Sequence, residues 1–584
     1  MTAEVKKLKI KEILKEENTT PFILDLGIIT LFFICINILT TTTLQFLNVA
    51  INGFNVVFSA IVSIIFFMVL RDKKYSIKRN SICILSAFLI FVILTIFASN
   101  VYDLSEDGNT YHKTAIGSLK NGWNPLYEDN YEFNKENIPN ILNEKNSLWV
   151  NHYPKATWNF AASIYYITGN IESGKVITFL TIFASLCISY AYFATKKMKK
   201  WQALVLSLVL SFNPLVLAQL FTYYVDGIMA LYIYMLVLAL LILYDDSIEL
   251  ISKTEKWLIV ASIIILVMNI KFTGAFFACL FTIPFYVLDL IKNKKAEKFW
   301  KYFFVQTSIF ALIVVIGILF VGASLYVKNT IFFKNPLYPL AGEGKVDIVT
   351  TMQPESFGSK SRFVKLFESL FAKTENITYA SGDDPQLKIP FTIEDFELGN
   401  MGLPDTRIGG YGALYSAIFV LSLGVLVISM IFIFKKDKAV FTIICVLLIP
   451  IILTTVLLEE AWWARYSPQL WLLSEIAIFN LFFLFNNSNK KVGKYLSVIA
   501  FVLLFATIIS NDYLYCKLRV DDIKVYRGIS SEINVLKESD NQDISLNSPK
   551  VGILFDIEDA NIDYTLVEKN DSQETFIYNW QIVY

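Results

Sequence analysis

The chain has 584 residues, of which 55% are hydrophobic and 17% are charged, and its mean hydropathy is +0.52. A water-soluble fold cannot bury that much apolar surface, so the composition excludes a soluble globular protein and indicates one that crosses a membrane several times. The 51 basic residues balance the 51 acidic ones. The net charge therefore gives no sign of a polyanionic partner, and we expect no nucleic acid to bind.

Apolar runs of about the length that crosses a bilayer recur along the chain. The segment 1–21 before them is a charged, helix-forming arm, more mixed in charge than the start of a signal peptide. About thirteen runs follow, near residues 22–40, 54–70, 81–98, 175–194, 202–220, 227–244, 257–271, 274–291, 302–326, 412–434, 439–458, 467–486 and 493–511. The sequence thus predicts an all-α polytopic membrane protein with about 13 transmembrane helices, grouped at 22–98, 175–326 and 412–511.

The loops between these runs alternate in charge. One set is basic, as in RDKKYSIKR and KNKKAEKFWK, whereas short loops of the other set, such as FTYYVDG, hold no lysine or arginine. Because basic loops stay in the cytoplasm, we predict a multi-pass protein of the cell membrane with a cytoplasmic N-terminus and an extracytoplasmic C-terminus. Two large loops, 99–174 and 327–411, then face outward together with a tail, 512–584.

Three stretches outside the spans have patterns of their own. Residues 157–168 are apolar but too short to span, and predict a re-entrant or interfacial helix. Apolar residues recur at helical spacing over 363–371, as in an interfacial amphipathic helix. The tail alternates turns with β-like runs, VGILFDI and TFIYNWQIVY, and predicts a small α/β appendage on the outer face.

Ionisable residues are almost absent from the middles of the predicted spans. A proton- or ion-coupled carrier usually holds charge near the membrane midplane, so this distribution disfavours a carrier. The polar groups gather at the predicted outer boundary, where a water-soluble molecule and a lipid-borne one can meet.

The first outer loop opens on VYDLSEDGNTYHK, which concentrates acidic and aromatic residues directly after a span. Asp107 precedes a Gly-Asn turn, and Tyr111 and His112 follow one helical turn later. Asp107 either caps the helix that starts here or serves as a carboxylate base, and the two roles are compatible.

The chain has two histidines, His112 and His152, and both lie in this loop. Imidazole and nearby carboxylates are suitable ligands for a divalent metal, although their spacing matches no established metal motif. A hydrogen bond to a sugar or a phosphate is the favoured role, and a metal ion held by Asp107, His112 and Asp226 stays an alternative.

A second carboxylate, Asp226, opens a span in QLFTYYVDGIM. It either caps that helix or forms, with Asp107, an acidic site that activates a hydroxyl or holds a cation. Lys271, in the turn KFTG, is a candidate cation at the same boundary, where a snorkelling lysine is the more ordinary interpretation.

Two arginines near this boundary are candidate phosphate ligands. Arg465 lies with Trp463 and Tyr466 in LEEAWWARYSPQLW, which fits either an aromatic belt with a snorkelling arginine or a guanidinium that binds phosphate. Arg407 lies in PDTRIGGYG, where a buried Asp–Arg pair is equally plausible.

Taken together, DGNTYHKTAIGSLKNGWNPLY, NHYPKATW, YYVDG, DTRIGGYG and WWARYSPQLW resemble the GT-C superfamily of polyprenyl-phosphate-dependent glycosyltransferases, in an uncharacterised bacterial branch. The likeness covers most of residues 80–480. Two apolar spans precede the one that leads into the acidic loop, whereas the superfamily commonly places that loop after the first span.

The resemblance implies transfer of a sugar from a polyprenyl-phosphate-linked donor to an acceptor hydroxyl on a cell-envelope glycan, lipid or protein, at the outer face of the membrane. It implies Asp107 as general base, with Asp103 or Glu106 as substitutes, Asp226 as an assisting or metal-binding acid, and Arg465 or Arg407 on the donor phosphate. One base and one direct attack predict inversion at the anomeric carbon.

Three other functions fit parts of the pattern. A polysaccharide polymerase or ligase would favour an arginine-rich outer loop, but 327–411 holds only Arg362 and Arg407. A non-enzymatic lipid-linked sugar flippase needs broken helices, for which only Asn213 and Pro214 give a sign. A structural scaffold is favoured if the outer clusters do not meet in space.

Overall fold

The computed structural model describes residues 16–71, 74–135, 140–196, 198–347, 349–375, 384–538, 543–544 and 550–566. Most of the predicted arm and the run TFIYNWQIVY lie outside these ranges. The helices are α1 Glu16–Phe46, α2 Gly53–Arg71, α3 Ile77–Ala98, α4 Lys113–Lys120, α5 Asn130–Asn134, α6 Asn140–His152, α7 Ala156–Thr168, α8 Val176–Thr195, α9 Lys200–Ser211, α10 Pro214–Ala218, α11 Asp226–Leu243, α12 Lys253–Ile270, α13 Gly274–Asn293, α14 Phe299–Val315, α15 Lys328–Phe333, α16 Val349–Met352, α17 Arg362–Phe371, α18 Asp395–Met401, α19 Tyr415–Lys436, α20 Lys438–Leu457, α21 Leu472–Asn487, α22 Lys491–Glu538 and α23 Ile553–Asp559. Two-residue strands β1 Asp543–Ile544 and β2 Thr565–Leu566 pair in parallel.

Eleven helices within the described ranges are long and apolar enough to cross a membrane, so the chain is a multi-pass membrane protein. They are α1, α2, α3, α8, α11, α13, α14, α19, α20, α21 and α22. Each of the thirteen predicted runs contains a helix, but α9 has only 12 residues and the first turn of α12 is charged. A count of thirteen spans therefore stays a prediction.

The predicted break at Asn213 and Pro214 is present. Helix α9 ends at Ser211, and α10 restarts at Pro214, whose missing N–H costs nothing at the first helical position. The side chain of Asn213 caps the new helix by accepting the N–H of Val216. The loop that follows α10 brings the side chain of Gln219 into hydrogen-bond contact with Asp226.

Helix α11 forms the centre of the bundle, and 94% of its residues are buried. It packs on α8, α12 and α13, whereas α3 and α14 leave most of their surface at the outside of the bundle. An apolar helix with an exposed apolar surface is stable in lipid, because all its backbone hydrogen bonds are internal. The central position of α11 fixes Asp226, its first residue, at one end of the core.

The described parts of segments 99–174 and 327–411 lie at the same end of the bundle, which we call the site end. Lys328 donates hydrogen bonds to the carbonyls of Pro125 and Glu128, joining the two segments. The predicted short helix near 157–168 is α7, and its first ten residues are buried. The predicted amphipathic helix is α17, which leaves Phe363 and Phe367 exposed.

The tail differs from its prediction in two respects. Helix α22 continues unbroken to Glu538, so the apolar run 493–511 and the start of the tail form one helix of 48 residues. The β-like run VGILFDI belongs to α23 rather than to a strand. Its apolar residues pack on the site end of the bundle, and this tertiary burial overrides the local alternation.

Candidate active site

Four distant parts of the chain meet at the site end. They are the helix that starts at Asp107, the first turn of α11 at Asp226, the loop at Asp405 before α19, and the turn at Arg465 between α20 and α21. The first of these, which we call the Asp107 helix, consists of the π-helical turn Gly108–His112 and its continuation, α4. Asp107, Asp226 and Arg465 are the three of these residues that the sequence predicts at one site. Their convergence is incompatible with a scaffold whose outer clusters lie apart.

Arg465 is the centre of the cluster. One terminal nitrogen, Nη1, donates to Oδ1 of Asp405 at 2.7 Å, and the other, Nη2, donates to Oδ2 of Asp107 at 3.2 Å. Its Nε lies 3.2 Å from Oδ2 of Asp226. A planar guanidinium suits this task, because its nitrogens reach three carboxylates in fixed directions, which a lysine ammonium does not.

Asp226 is held by two cations and an amide. Lys271 contacts Oδ1 of Asp226, and the Nε2 of Gln219 donates to Oδ2 at 3.1 Å. Gln219 also accepts the N–H of Gly227 and donates to the carbonyl of Pro404, so it ties the start of α11 to the Asp405 loop. Asp226 is almost fully buried and its charge is compensated within the cluster.

Asp405 joins the two arginines. Its Oδ2 accepts from Nε of Arg407 at 2.5 Å, while Oδ1 accepts from Arg465. Trp463 donates its indole N–H to the carbonyl of Asp405, and both guanidinium carbons lie 5.3 Å from the centre of its ring. Lys271 lies 3.8 Å from the centre of the Tyr466 ring. The aromatic residues of WWARY therefore support cations rather than forming only a membrane belt.

Asp107 does not cap the helix in which it lies. Ser105 accepts the N–H of Gly108 instead, and its own N–H and hydroxyl donate to Oδ1 of Asp103. Asp107 has helical backbone angles and no side-chain capping bond. Its carboxylate is consequently available to Arg465, and the capping alternative is wrong.

The neighbours of Asp107 in the acidic stretch have structural partners. Asp103 is buried, and its Oδ2 accepts the backbone N–H of Tyr223 at 2.7 Å. Glu106 is exposed and pairs with Lys550 at 3.0 Å. Neither contacts Arg465 among the described ion pairs, so Asp107 is the acidic residue of this stretch that reaches the cluster.

Burial raises the pKa of Asp107, and the facing guanidinium of Arg465 only partly offsets this. The carboxylates of Asp405 and Asp226 raise the pKa further, since like charges nearby disfavour a third. The Asp107 side chain is 25% exposed, whereas those of Asp405 and Asp226 are 15% and 1% exposed. Asp107 is therefore the most accessible carboxylate of the cluster and the one with fewest cation contacts.

A cluster of buried aromatic rings packs around His112, in the helix that starts at Asp107. His112 accepts the indole N–H of Trp158 at its Nδ1, at 2.7 Å, and its ring packs within 4.3 Å of Tyr111 and 5.8 Å of Tyr153. Burial lowers the pKa of His112 to about 3, so the imidazole is neutral at ordinary pH. Because Nδ1 accepts, the proton lies on Nε2, and this leaves one N–H for a hydrogen bond.

His152 has a different set of partners. Its Nδ1 is 2.7 Å from the amide oxygen of Asn329, and its ring packs on Phe333 and Tyr338. Burial lowers its pKa to about 4. Its printed partners differ from those of His112, and a role of His152 in binding substrate stays a prediction.

The residues suggested for a metal ion are engaged with other partners. Asp107 and Asp226 both contact Arg465, and His112 faces Trp158 with its Nδ1. In the described ranges, no three His, Cys, Asp or Glu side chains are grouped as ligands. The guanidinium of Arg465 occupies the position between carboxylates that a cation would take.

Three groups were missed or undervalued in the sequence. Asp405 was visible as a possible pair with Arg407, but its contact with Arg465 was not. Gln219 follows the helix break and had no signal of its own. Glu475 is an acid inside α21, in a predicted span, and neither of its carboxylate oxygens has a hydrogen-bond partner among the described residues. The spans therefore hold one more buried ionisable residue than expected.

Comparison with known proteins gives little. No protein-family model matches the chain, and no curated protein matches it. Among solved structures it is similar to ArnT from Cupriavidus metallidurans in the apo state, at 10% identity and a TM-score of 0.44 over 84% of this chain and 85% of that chain. It is also similar to ArnT bound to undecaprenyl phosphate, at 10% identity and a TM-score of 0.42 over 85% and 87%. At these values the likeness carries no information about activity, which has to be argued from the residues.

Proposed function

We propose that this protein is a GT-C-type glycosyltransferase that moves a sugar from a polyprenyl-phosphate-linked donor to an acceptor hydroxyl at the outer face of the cell membrane. The observation that carries the proposal is the convergence of Asp107, Asp226 and Asp405 on Arg465 at the site end. A carboxylate and a guanidinium at one membrane boundary are the two groups that such a transfer requires.

The base in this proposal is Asp107. An acceptor hydroxyl is a poor nucleophile until a base takes its proton, and such help is typically worth about 10²–10⁴-fold in rate. Among the three carboxylates Asp107 is the most exposed, and burial raises its pKa, which makes it a better proton acceptor than an ordinary aspartate. Direct attack by one activated hydroxyl inverts the anomeric carbon.

Arg465 stabilises the leaving group. As the glycosidic bond breaks, negative charge grows on the lipid phosphate, and a fixed cation in a water-poor site lowers the barrier. The carboxylates and aromatic rings around Arg465 hold its plane in place before substrate arrives. Asp226 contributes by fixing Arg465 and Lys271 rather than by taking a proton, since both its oxygens are engaged.

The acceptor is a hydroxyl of a cell-envelope glycan, lipid or protein. His112 has one N–H left for a sugar hydroxyl or a phosphate oxygen, and the rings of Tyr111 and Trp158 pack on the imidazole and hold it in place. These contacts support a polar group next to Asp107 and give no sign of which sugar binds.

The test is to supply the purified protein in lipid nanodiscs with polyprenyl-phosphate-linked sugars extracted from bacterial membranes, together with an envelope fraction as acceptor. Mass spectrometry of the lipids identifies the leaving group. Release of polyprenyl monophosphate by the native protein, and its loss in Asp107→Asn, is the expected result. Release of polyprenyl diphosphate indicates a polymerase or ligase instead, and sugar movement across vesicles without bond cleavage indicates a flippase.

A further inference from the structure

We propose that the C-terminal segment 550–566 keeps the Asp107 helix in position against Arg465, with Asp556 as its positioning residue. This inference rests on the function proposed above. It makes the tail, more than 400 residues from Asp107 in sequence, part of the machinery that aligns the base.

The helix around Asp107 presents different faces to the site and to the tail. Asp107 and Tyr111 face the Arg465 side, whereas Asn109, Lys113 and Gly117 meet the tail. Residues four apart lie on one face of a helix, and residues two apart lie on nearly opposite faces. The tail therefore braces the helix from behind the base without entering the site.

Three kinds of contact form this brace. The backbone N–H of Gly552 donates to the carbonyl of Asn109 at 2.7 Å. Asp556 pairs with the fully buried Lys113 at 2.7 Å. The ring of Phe555 packs so closely on Gly117 that a Cβ at that position would lie 2.2 Å from a ring carbon. Only a glycine allows this approach, which accounts for a glycine inside the run TAIGSLK.

The brace is anchored to the bundle at its other end. Asp559 accepts the hydroxyl of Tyr165 and the backbone N–H of Ile171, both at 2.6 Å. Lys113 also pairs with Glu172 at 2.5 Å, so α4, α23 and the segment before α8 meet at the buried ammonium of Lys113. Since Glu172 remains when Asp556 is neutralised, Lys113 keeps one partner and the fold survives the change.

The geometry of this contact fixes the expected effect. A displacement of about 1 Å at a reacting group can cost about 10²-fold in rate. Asp556→Asn weakens the bond to Lys113 while Arg465 and its loop are untouched, so kcat falls about 10- to 100-fold and KM for the donor changes by less than about threefold. The matched control is Asp521→Asn, the same change at an exposed acid of α22.

Reversible cross-linking separates positioning from a general loss of structure. Glu106 and Lys550 form an ion pair between the exposed edge of the acidic loop and the tail. The pair Glu106→Cys and Lys550→Cys, in a Cys279→Ser, Cys516→Ser background, can be joined by a short cleavable bismaleimide. In the Asp556→Asn variant, cross-linking restores kcat to within about threefold of the native rate, and cleavage of the linker abolishes the recovery. Asp556→Glu, which keeps the charge, recovers most of the activity.

The inference is overturned if Asp556→Asn keeps kcat within twofold of the native protein, or if its lost activity does not respond to the linker. These outcomes are distinct from failure of the proposed function, in which Asp107→Asn itself transfers sugar at the native rate.

Discussion

Replacing Asp107 by asparagine separates catalysis from stability, because this residue is the most accessible carboxylate of the cluster. Asparagine has nearly the same shape and can still accept the N–H of Arg465. The substitution removes only the charge and the ability to take a proton. We expect kcat/KM to fall about 10²–10⁴-fold, the usual worth of a general base, which corresponds to about 2.7–5.4 kcal/mol of barrier.

The stability cost of the same change is small. The Asp107–Arg465 contact is 3.2 Å long and the carboxylate is 25% exposed, so solvent screens it. Partly exposed ion pairs contribute about 0–1 kcal/mol. Neutralising Asp107 also relieves its repulsion with Asp405 and Asp226. We therefore expect unfolding free energy to change by at most about 1 kcal/mol.

Asp226→Asn is the informative comparison. It removes the charge that compensates both Lys271 and Arg465 at a position that is 1% exposed. Breaking a buried pair from one side typically costs about 3–5 kcal/mol. The assay is release of polyprenyl monophosphate together with thermal unfolding of each variant in the same nanodiscs. An Asp107→Asn protein that keeps more than a tenth of native turnover, or that unfolds as early as Asp226→Asn, refutes this reasoning.

Three further predictions concern the same region. Arg465→Lys keeps a positive charge but cannot reach Asp107, Asp226 and Asp405 at once, so turnover should fall about 10²–10³-fold. The control is Lys271→Arg in the same assay, whose turnover should fall much less. Asp405→Asn removes a charge that raises the pKa of Asp107, so the pKa of Asp107 should fall. Because activity needs the ionised base and is lost as pH falls through this pKa, the acidic limb of the kcat profile should move to lower pH. An unmoved limb would show that Asp107 is not the titrating group. Gly117→Ala forces a methyl into Phe555, and overpacking of this kind costs about 1–3 kcal/mol; thermal unfolding should detect the loss, and adding Phe555→Leu should recover part of it.

The helices were predictable because the bilayer leaves few choices. A run of about 20 apolar residues in lipid has to be helical, since its backbone groups find no other partners. All thirteen predicted runs contain helices for this reason. The convergence of Asp107, Asp226 and Arg465 could also be predicted, because each follows or precedes a span and the spans cross the same bilayer. Helix ends on one side of a bilayer lie in one layer.

Contacts formed by the loops and the tail could not be predicted in this way. The run VGILFDI alternates as a strand does, yet it forms a helix because Asn109, Lys113 and Gly117 offer it a buried surface. That surface is formed by packing between segments 443 residues apart, and no local sequence pattern indicates such a contact. The partners of His152 were equally out of reach, because Asn329 and two aromatic rings come to it from the second large loop, far away in sequence.

The charges of the cluster explain why one residue can act while the others are fixed. Three carboxylates face three cations, since Arg407 and Lys271 join Arg465, and the sum is zero. Changing any deeply buried member leaves an uncompensated charge where water cannot screen it, so stability and function fall together. Asp107 differs because solvent reaches it and one cation contacts it. It is the position at which a proton can be gained and lost without dismantling the site, which is the property that a general base requires.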